Sequence, residues 1–201
     1  MRIGVFGGTF DPYTVAHAAI ADVVLGSGAV DRIVIVPTVV DWHRPGKEKW
    51  LKPAEKLDCI RLISGMSPYA ERIEVDGGEL DIPEQLKKNR RFVHTLARLT
   101  FEYGIENDYF TVIGGDSYEQ FGSWWRYKSI LDMSDIICVN MRDGVDVSAR
   151  MPKWKPTDTF VSIGNEYAGI SATGIRKKFA GTGGINAYIA EITEGKRETA
   201  A

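Results

Sequence analysis

Met1-Arg-Ile-Gly-Val-Phe-Gly-Gly-Thr-Phe-Asp-Pro-Tyr-Thr-Val-Ala-His17 opens the chain. A short apolar run, Arg2–Phe6, reads as a strand buried on both faces. It enters a glycine pair, then an Asp-Pro turn, then Thr14 and His17, three apart at the expected start of a helix. Glycines let backbone N–H groups approach an anion. A helix N-terminus adds unpaired N–H groups and the positive end of its dipole. Residues i and i+3 share a helix face, so the Thr14 hydroxyl and His17 imidazole can address one phosphate. Taken singly, Thr14 is a good N-cap and His17 an ordinary packed histidine. Together, after a strand, they read as a phosphate cradle. Neither the dinucleotide G-x-G-x-x-G nor the G-x-x-x-x-G-K-[ST] loop is present.

Working outward, apolar runs alternate with amphipathic ones. Further strands are expected at Arg32–Pro37, Arg72–Val75, Tyr109–Ile113, Ile136–Val139 and Thr159–Ile163. Helices are expected at Thr14–Leu25, Pro53–Gly65, Arg91–Tyr103, Trp125–Met133, Ser171–Ala180 and Asn186–Glu194. Pro53 suits a first helical turn, and Leu57, Ile60 and Leu62/Ile63 recur at helical spacing. Such alternation implies an α/β fold, a doubly wound parallel sheet covered on both faces. Ligands then bind beyond the carboxyl ends of the strands, where the Gly7–Tyr13 loop lies. Two stretches show no period. Thr38–Lys52 follows the second strand and belongs on the ligand edge. Asp143–Asp158 reads as a polar surface excursion.

Composition bounds the rest. The 201 residues suit a single domain, 1–201, with a charged tail from about 195 onward expected to fray. At 44% hydrophobic, 26% charged and net charge −2, the chain has no basic footprint for a nucleic-acid polymer. No apolar run approaches the roughly 20 residues of a membrane helix, and the N-terminus lacks the pattern of a signal peptide. Cys59 and Cys138 read as two buried thiols, which suits a reducing cytoplasm. Nothing in the sequence fixes the oligomeric state; a homo-oligomer is compatible with it.

A second phosphate-directed motif lies near the other end, Ile170-Ser-Ala-Thr-Gly-Ile-Arg-Lys-Lys178. It reads either as a capped helix with a basic exposed face or as a second helix N-terminus aimed at phosphates. Ser171 and Thr173 offer hydroxyl and amide donors, and Arg176 offers a charged fork.

The opening run resembles the G-x-F-D-P-x-[HT]-x-G-H signature of the nucleotidyltransferase superfamily, and Ile170–Arg176 resembles its I-S-x-T-x-I-R motif. Pro37…His43-Arg44-Pro45 and Ile113-Gly-Gly-Asp116 followed by Trp124 are similar to segments of nicotinate-nucleotide adenylyltransferases. The resemblance spans nearly the whole chain, in order. It implies a Rossmann-like nucleotidyltransferase fold. It also implies a reaction in which a mononucleotide phosphate attacks the α-phosphorus of ATP, with Mg2+ assisting, pyrophosphate leaving and no covalent enzyme intermediate.

By the same resemblance, His17, Thr14 and Arg176 are the catalytic residues. Gly8, Thr9 and Phe10 lend backbone contacts to ATP. Ser171, Thr173 and Arg176 hold its β- and γ-phosphates, and Gly114 and Asp116 bind its adenosine side. Trp124, Trp125, His43, Arg44 and Thr95 face the acceptor, a pyridine mononucleotide. No residue is assigned as a metal ligand. As plain sequence, Trp124 and Trp125 have the alternative reading of exposed or interface tryptophans in a loop, stronger for Trp125 than for Trp124, and His43-Arg44 that of a solvated basic loop. The chain departs from the pyridine-nucleotide pattern at Thr14, Ala16, Trp42 and Arg90-Arg91-Phe92. Those departures keep open another phosphorylated acceptor, such as 4′-phosphopantetheine, or a nucleotide-binding homologue with weak catalysis.

Overall fold

The computed structural model describes residues 1–38, 49–83, 86, 90–140, 152–167 and 169–199. Strands β1 (Arg2–Gly8), β2 (Arg32–Pro37), β3 (Ile73–Val75), β4 (Asp108–Gly114), β5 (Asp135–Asn140) and β6 (Thr159–Ser162) form one sheet, in the order β3-β2-β1-β4-β5-β6. Every neighbouring pair is parallel. The chain therefore winds one way from β1 to β3 and the other way from β4 to β6. The point of reversal lies between β1 and β4, where a doubly wound sheet binds its ligand.

Period-two alternation divides the apolar side chains between two cores. Phe6, Ile33, Ile35, Val112, Ile137 and Val139 face one, and Ile3, Val5, Val34, Val36, Ile113, Ile136 and Cys138 face the other. The first core is covered by α1 (Val15–Gly26), α2 (Pro53–Ser64), α6 (Ala172–Phe179) and α7 (Gly184–Thr199). The second is covered by α3 (Phe92–Tyr103), α4 (Gly115–Glu119), a short 3-10 turn at Phe121–Ser123, and α5 (Tyr127–Met133). This double cover explains why the strands carry Val and Ile almost without interruption. Both cysteines are free and buried, one in each core.

Several boundaries differ from the sequence reading for physical reasons. The α5 helix starts at Tyr127 rather than Trp125, because Arg126 is left-handed (φ 55°) and cannot join the helix. In α2 the buried face is Lys56, Cys59, Ile60, Ile63 and Ser64, while Leu62 is exposed. Its start follows expectation, with Pro53 in the first turn and Glu55 accepting from the Lys52 N–H at 2.8 Å. The last helix was expected to stop at Glu194 and continues to Thr199. The Asp143–Asp158 stretch is not merely a surface excursion where it is described. Trp154 packs on Phe121 and Tyr127, and buried Asp158 accepts from the Tyr118 hydroxyl and the Ile136 N–H. No described helix is long and apolar enough to cross a membrane.

Candidate active site

Strand pairing itself opens the site. The β1–β2 register runs to Gly8↔Pro37 and the β4–β5 register to Gly114↔Val139. Between β1 and β4 it ends at Val5↔Thr111. Beyond that pair the two central strands part, and Gly7, Gly8 and Gly114 flank a crevice at the carboxyl edge.

Rings, rather than an anion alone, require the two glycines at the end of β1. A Cβ at Gly7 would lie 2.9 Å from the Phe92 ring, and one at Gly8 would lie 2.7 Å from the Phe10 ring. Phe10 is buried and holds a left-handed backbone (φ 43°), a sparsely populated state for a side-chain-bearing residue. The loop is fixed from below. Buried Lys56 donates from Nζ to the Thr9 carbonyl at 2.6 Å and to the Thr38 carbonyl at 3.0 Å. The Asp11 carboxylate accepts the N–H groups of Trp50 at 3.0 Å and Leu51 at 2.9 Å. Asp11 is thus a buried tether that binds the loop after β1 to the segment before α2.

Thr14 caps α1, and its relation to His17 is reciprocal. Thr14 Oγ1 accepts from the His17 N–H at 3.4 Å, and the Thr14 N–H donates to His17 Nδ1 at 2.9 Å. Because Nδ1 accepts a backbone N–H, the neutral ring carries its proton on Nε2. The imidazole is half-buried among aromatic rings. Tyr13 stacks on it (5.4 Å, 25°), Phe10 meets it edge-on (5.2 Å, 80°) and Phe6 is tilted at 6.3 Å. Burial pushes its pKa down to about 4. His17 is therefore a neutral Nε2–H donor at neutral pH, and a polyanion placed on Nε2 would favour its protonation.

The two terminal motifs meet here. Ser171 caps α6, its Oγ accepting from the Gly174 N–H at 3.1 Å. Arg176, half-buried, donates from Nη1 to the Asp11 carbonyl and from Nη2 to Thr173 Oγ1 at 2.9 Å. Residues of both terminal motifs thus share one rim, with Ser171 and Thr173 exposed on it.

Across the crevice, Gly114 has open space where a Cβ would stand, and Asp116 is exposed in the first turn of α4. The Phe92 ring, lying over Gly7, meets Trp124 edge-on at 5.5 Å, and Trp124 also packs on Phe121. The Trp124 Nε1 is buried without a hydrogen-bond partner among the described residues. Trp125 is instead exposed, with the Arg126 guanidinium over it at 4.8 Å and the His94 ring at 5.1 Å. Thr95 differs from the sequence reading. Its side chain is buried, and its hydroxyl is spent on Glu79 at 2.6 Å, so it is not presented to a ligand. His43 and Arg44 lie outside the described residues.

Sequence reading flagged Phe92 only as a departure in the acceptor segment and missed two residues of this site. Tyr13 gave no signal, because ring packing on His17 is purely tertiary. Lys56 did give one: it stands in a stripe with Cys59, Ile60 and Ile63 at i, i+3, i+4 and i+7, a lysine on an apolar face.

With this geometry in place, the likeness to known proteins is informative. The cytidylyltransferase-like family matches residues 5–178. A protein of Fusobacterium nucleatum subsp. nucleatum named a probable nicotinate-nucleotide adenylyltransferase is 27% identical over 179 residues, 89% of this chain and 87% of the relative. One of Chromobacterium violaceum with the same name is 30% identical over 152 residues, 76% of this chain and 68% of the relative. The Plasmodium falciparum nicotinic acid mononucleotide adenylyltransferase solved in complex with NaAD is 17% identical, covers 92% of this chain and 87% of its own, and aligns with a TM-score of 0.66. At that identity the structural likeness speaks for the fold, which is the Rossmann-like one expected. The match across both terminal motifs establishes that this chain belongs to the cytidylyltransferase-like family of nucleotidyltransferases.

Proposed function

We propose that the chain is an adenylyltransferase that joins ATP to a pyridine mononucleotide, of nicotinate type ahead of nicotinamide type, giving a dinucleotide and pyrophosphate. One observation carries the reading. Arg176 reaches the Asp11 carbonyl across the fold, so the Thr14–His17 pair and the Ser171–Arg176 motif border one crevice, with Phe92 and Trp124 on its other side. The relatives' names supply the acceptor class.

In this reading the mononucleotide phosphate oxygen attacks the α-phosphorus in line. A P–O bond forms, the bond to the oxygen bridging α and β breaks, and that oxygen leaves with pyrophosphate. Nothing covalent with the protein is required; positioning and charge stabilisation suffice. His17 Nε2–H addresses the α-phosphate beside the Thr14 hydroxyl. Backbone groups of Gly8, Thr9 and Phe10 line the floor. Ser171, Thr173 and Arg176 hold the β- and γ-phosphates, whose charge grows as pyrophosphate departs. Gly114 leaves room for the adenosine, and Asp116 offers its ribose hydroxyls an acceptor. Trp124 and Phe92 supply aromatic faces for the pyridine ring. Magnesium enters with ATP as part of the substrate. The Asp11 carboxylate is already committed to two backbone amides, which fits a cation carried by phosphates and water. The protein would act in the cytoplasm.

The test is a panel of acceptors incubated with protein and MgATP, or MgCTP, with pyrophosphate as readout: nicotinate mononucleotide, nicotinamide mononucleotide and 4′-phosphopantetheine. Release with a pyridine mononucleotide and ATP is expected. Release with 4′-phosphopantetheine alone would move the acceptor, consistent with Thr14 standing where pyridine-nucleotide enzymes carry histidine. Tight ATP binding without turnover would mark a binding protein.

A further inference from the structure

We propose that Tyr13 is a positioning residue for the reaction, an aromatic plate that holds the His17 imidazole in the orientation set by the Thr14 N–H. The inference rests on the role given to His17 above and adds a residue that neither terminal motif specifies.

Three contacts fix the imidazole. The Thr14 N–H on Nδ1 at 2.9 Å sets which nitrogen faces the backbone. The Phe10 ring blocks one edge at 5.2 Å, nearly perpendicular. Tyr13 lies against a face at 5.4 Å and 25°, the only near-parallel ring on His17 among the described residues. A hydrogen bond alone leaves an imidazole free to rock about its axis; a ring stacked on its face removes that freedom. Tyr13 is itself immobile, because it is fully buried, Phe10 meets it edge-on at 5.2 Å, and Cys59 Sγ donates to its carbonyl. Its hydroxyl lies beside the Ser64 hydroxyl of α2 and makes no hydrogen bond to His17. The ring, not the hydroxyl, therefore does the positioning.

The groups facing His17 are Phe6 of β1, Phe10 and Tyr13 of the loop, and Thr14 at the cap. None is charged near neutral pH, and burial pushes the Tyr13 phenol up from its ordinary value. The stack thus also reduces the solvation of His17, consistent with its depressed pKa.

Two measurements on full-length protein test this. NMR follows the imidazole of His17, one of three histidines, assigned by its loss in His17→Gln. In Tyr13→Leu the His17 pKa should rise from about 4 toward the ordinary ~6.5, and both ring tautomers should appear. In the acceptor assay, Tyr13→Leu should lower kcat by about 10- to 100-fold while the KM for ATP changes less than about threefold, as expected for lost alignment. Tyr13→Phe, which keeps the plate, should match wild type in both. A Tyr13→Phe variant as impaired as Tyr13→Leu would overturn the proposal, as would a Tyr13→Leu variant with unchanged His17 titration and kcat. If Tyr13→Leu does not fold, Tyr13→Met and Tyr13→Phe carry the same comparison. Wild-type protein silent with every acceptor would refute the proposed activity and leave the titration to decide the stack.

Discussion

His17 makes acid stability a direct readout of the site. Its folded pKa is about 4, while an unfolded chain exposes it at about 6.5. Between those values the unfolded state binds a proton that the folded state refuses. Stability from this group is therefore complete above about pH 6.5 and lost as pH falls toward 4, where the loss levels off. Linkage gives a loss of about 2 kcal/mol between pH 7 and 5, and about 3 kcal/mol by pH 4. The control is His17→Gln, which cannot titrate yet can return a side-chain acceptor to the Thr14 N–H from the same third helical position. Urea unfolding followed by the fluorescence of the five tryptophans should show wild type losing those amounts relative to the variant. Saturating MgATP should narrow the window, because bound phosphate favours the imidazolium. Parallel pH dependence in the two proteins would refute the buried, neutral His17 on which the proposed donor role depends.

Three further outcomes follow from the contacts of the loop and the crevice. Gly8→Ala drives a methyl into Phe10 and, through it, into His17; melting and steady-state assays should show a loss of about 1–3 kcal/mol with a lower kcat, and an unaltered enzyme would refute the ring packing. Lys56→Met strips the Thr9 and Thr38 carbonyls of their donor, so denaturant titration should find about 2 kcal/mol or more of destabilisation; a neutral change would mean that the lysine does not hold the loop. Trp124→Ala should raise the acceptor KM about tenfold, equivalent to one lost aromatic contact. Trp125→Ala, whose ring is exposed against Arg126, should change it little, and the reverse ranking would exchange their roles.

How much of this could be read from sequence depended on where the determining forces lie. The four inner strands were legible because they are largely buried between the two cores, which leaves a run of Val and Ile that tertiary context cannot disguise, while the half-buried edge strands β3 and β6 were legible from shorter β-branched and aromatic runs. The Thr14 cap and the Ser171 cap were legible because capping is local. The helical spacing left Leu62 and Ile63 as alternatives; Ile63 is buried, Leu62 is exposed, and buried Lys56 takes a place on that face because two loop carbonyls accept from it. Thr95 stood at a motif position but points inward to Glu79, a partner 16 residues away. Tyr13 was silent for a deeper reason. Its neighbours in sequence suggest a turn, and its role exists only once α1 has turned His17 back over it.

The contact between Arg176 and the Asp11 carbonyl also sets a clock. It joins residues 165 positions apart. On a ribosome adding about 5–20 residues per second, the β1 loop would wait roughly 10–30 s for that partner. The first strand and its loop leave the ribosome early, yet Arg176 follows 165 residues after Asp11. A nascent chain that has released all six strands still lacks the Arg176–Asp11 contact that joins the two motifs.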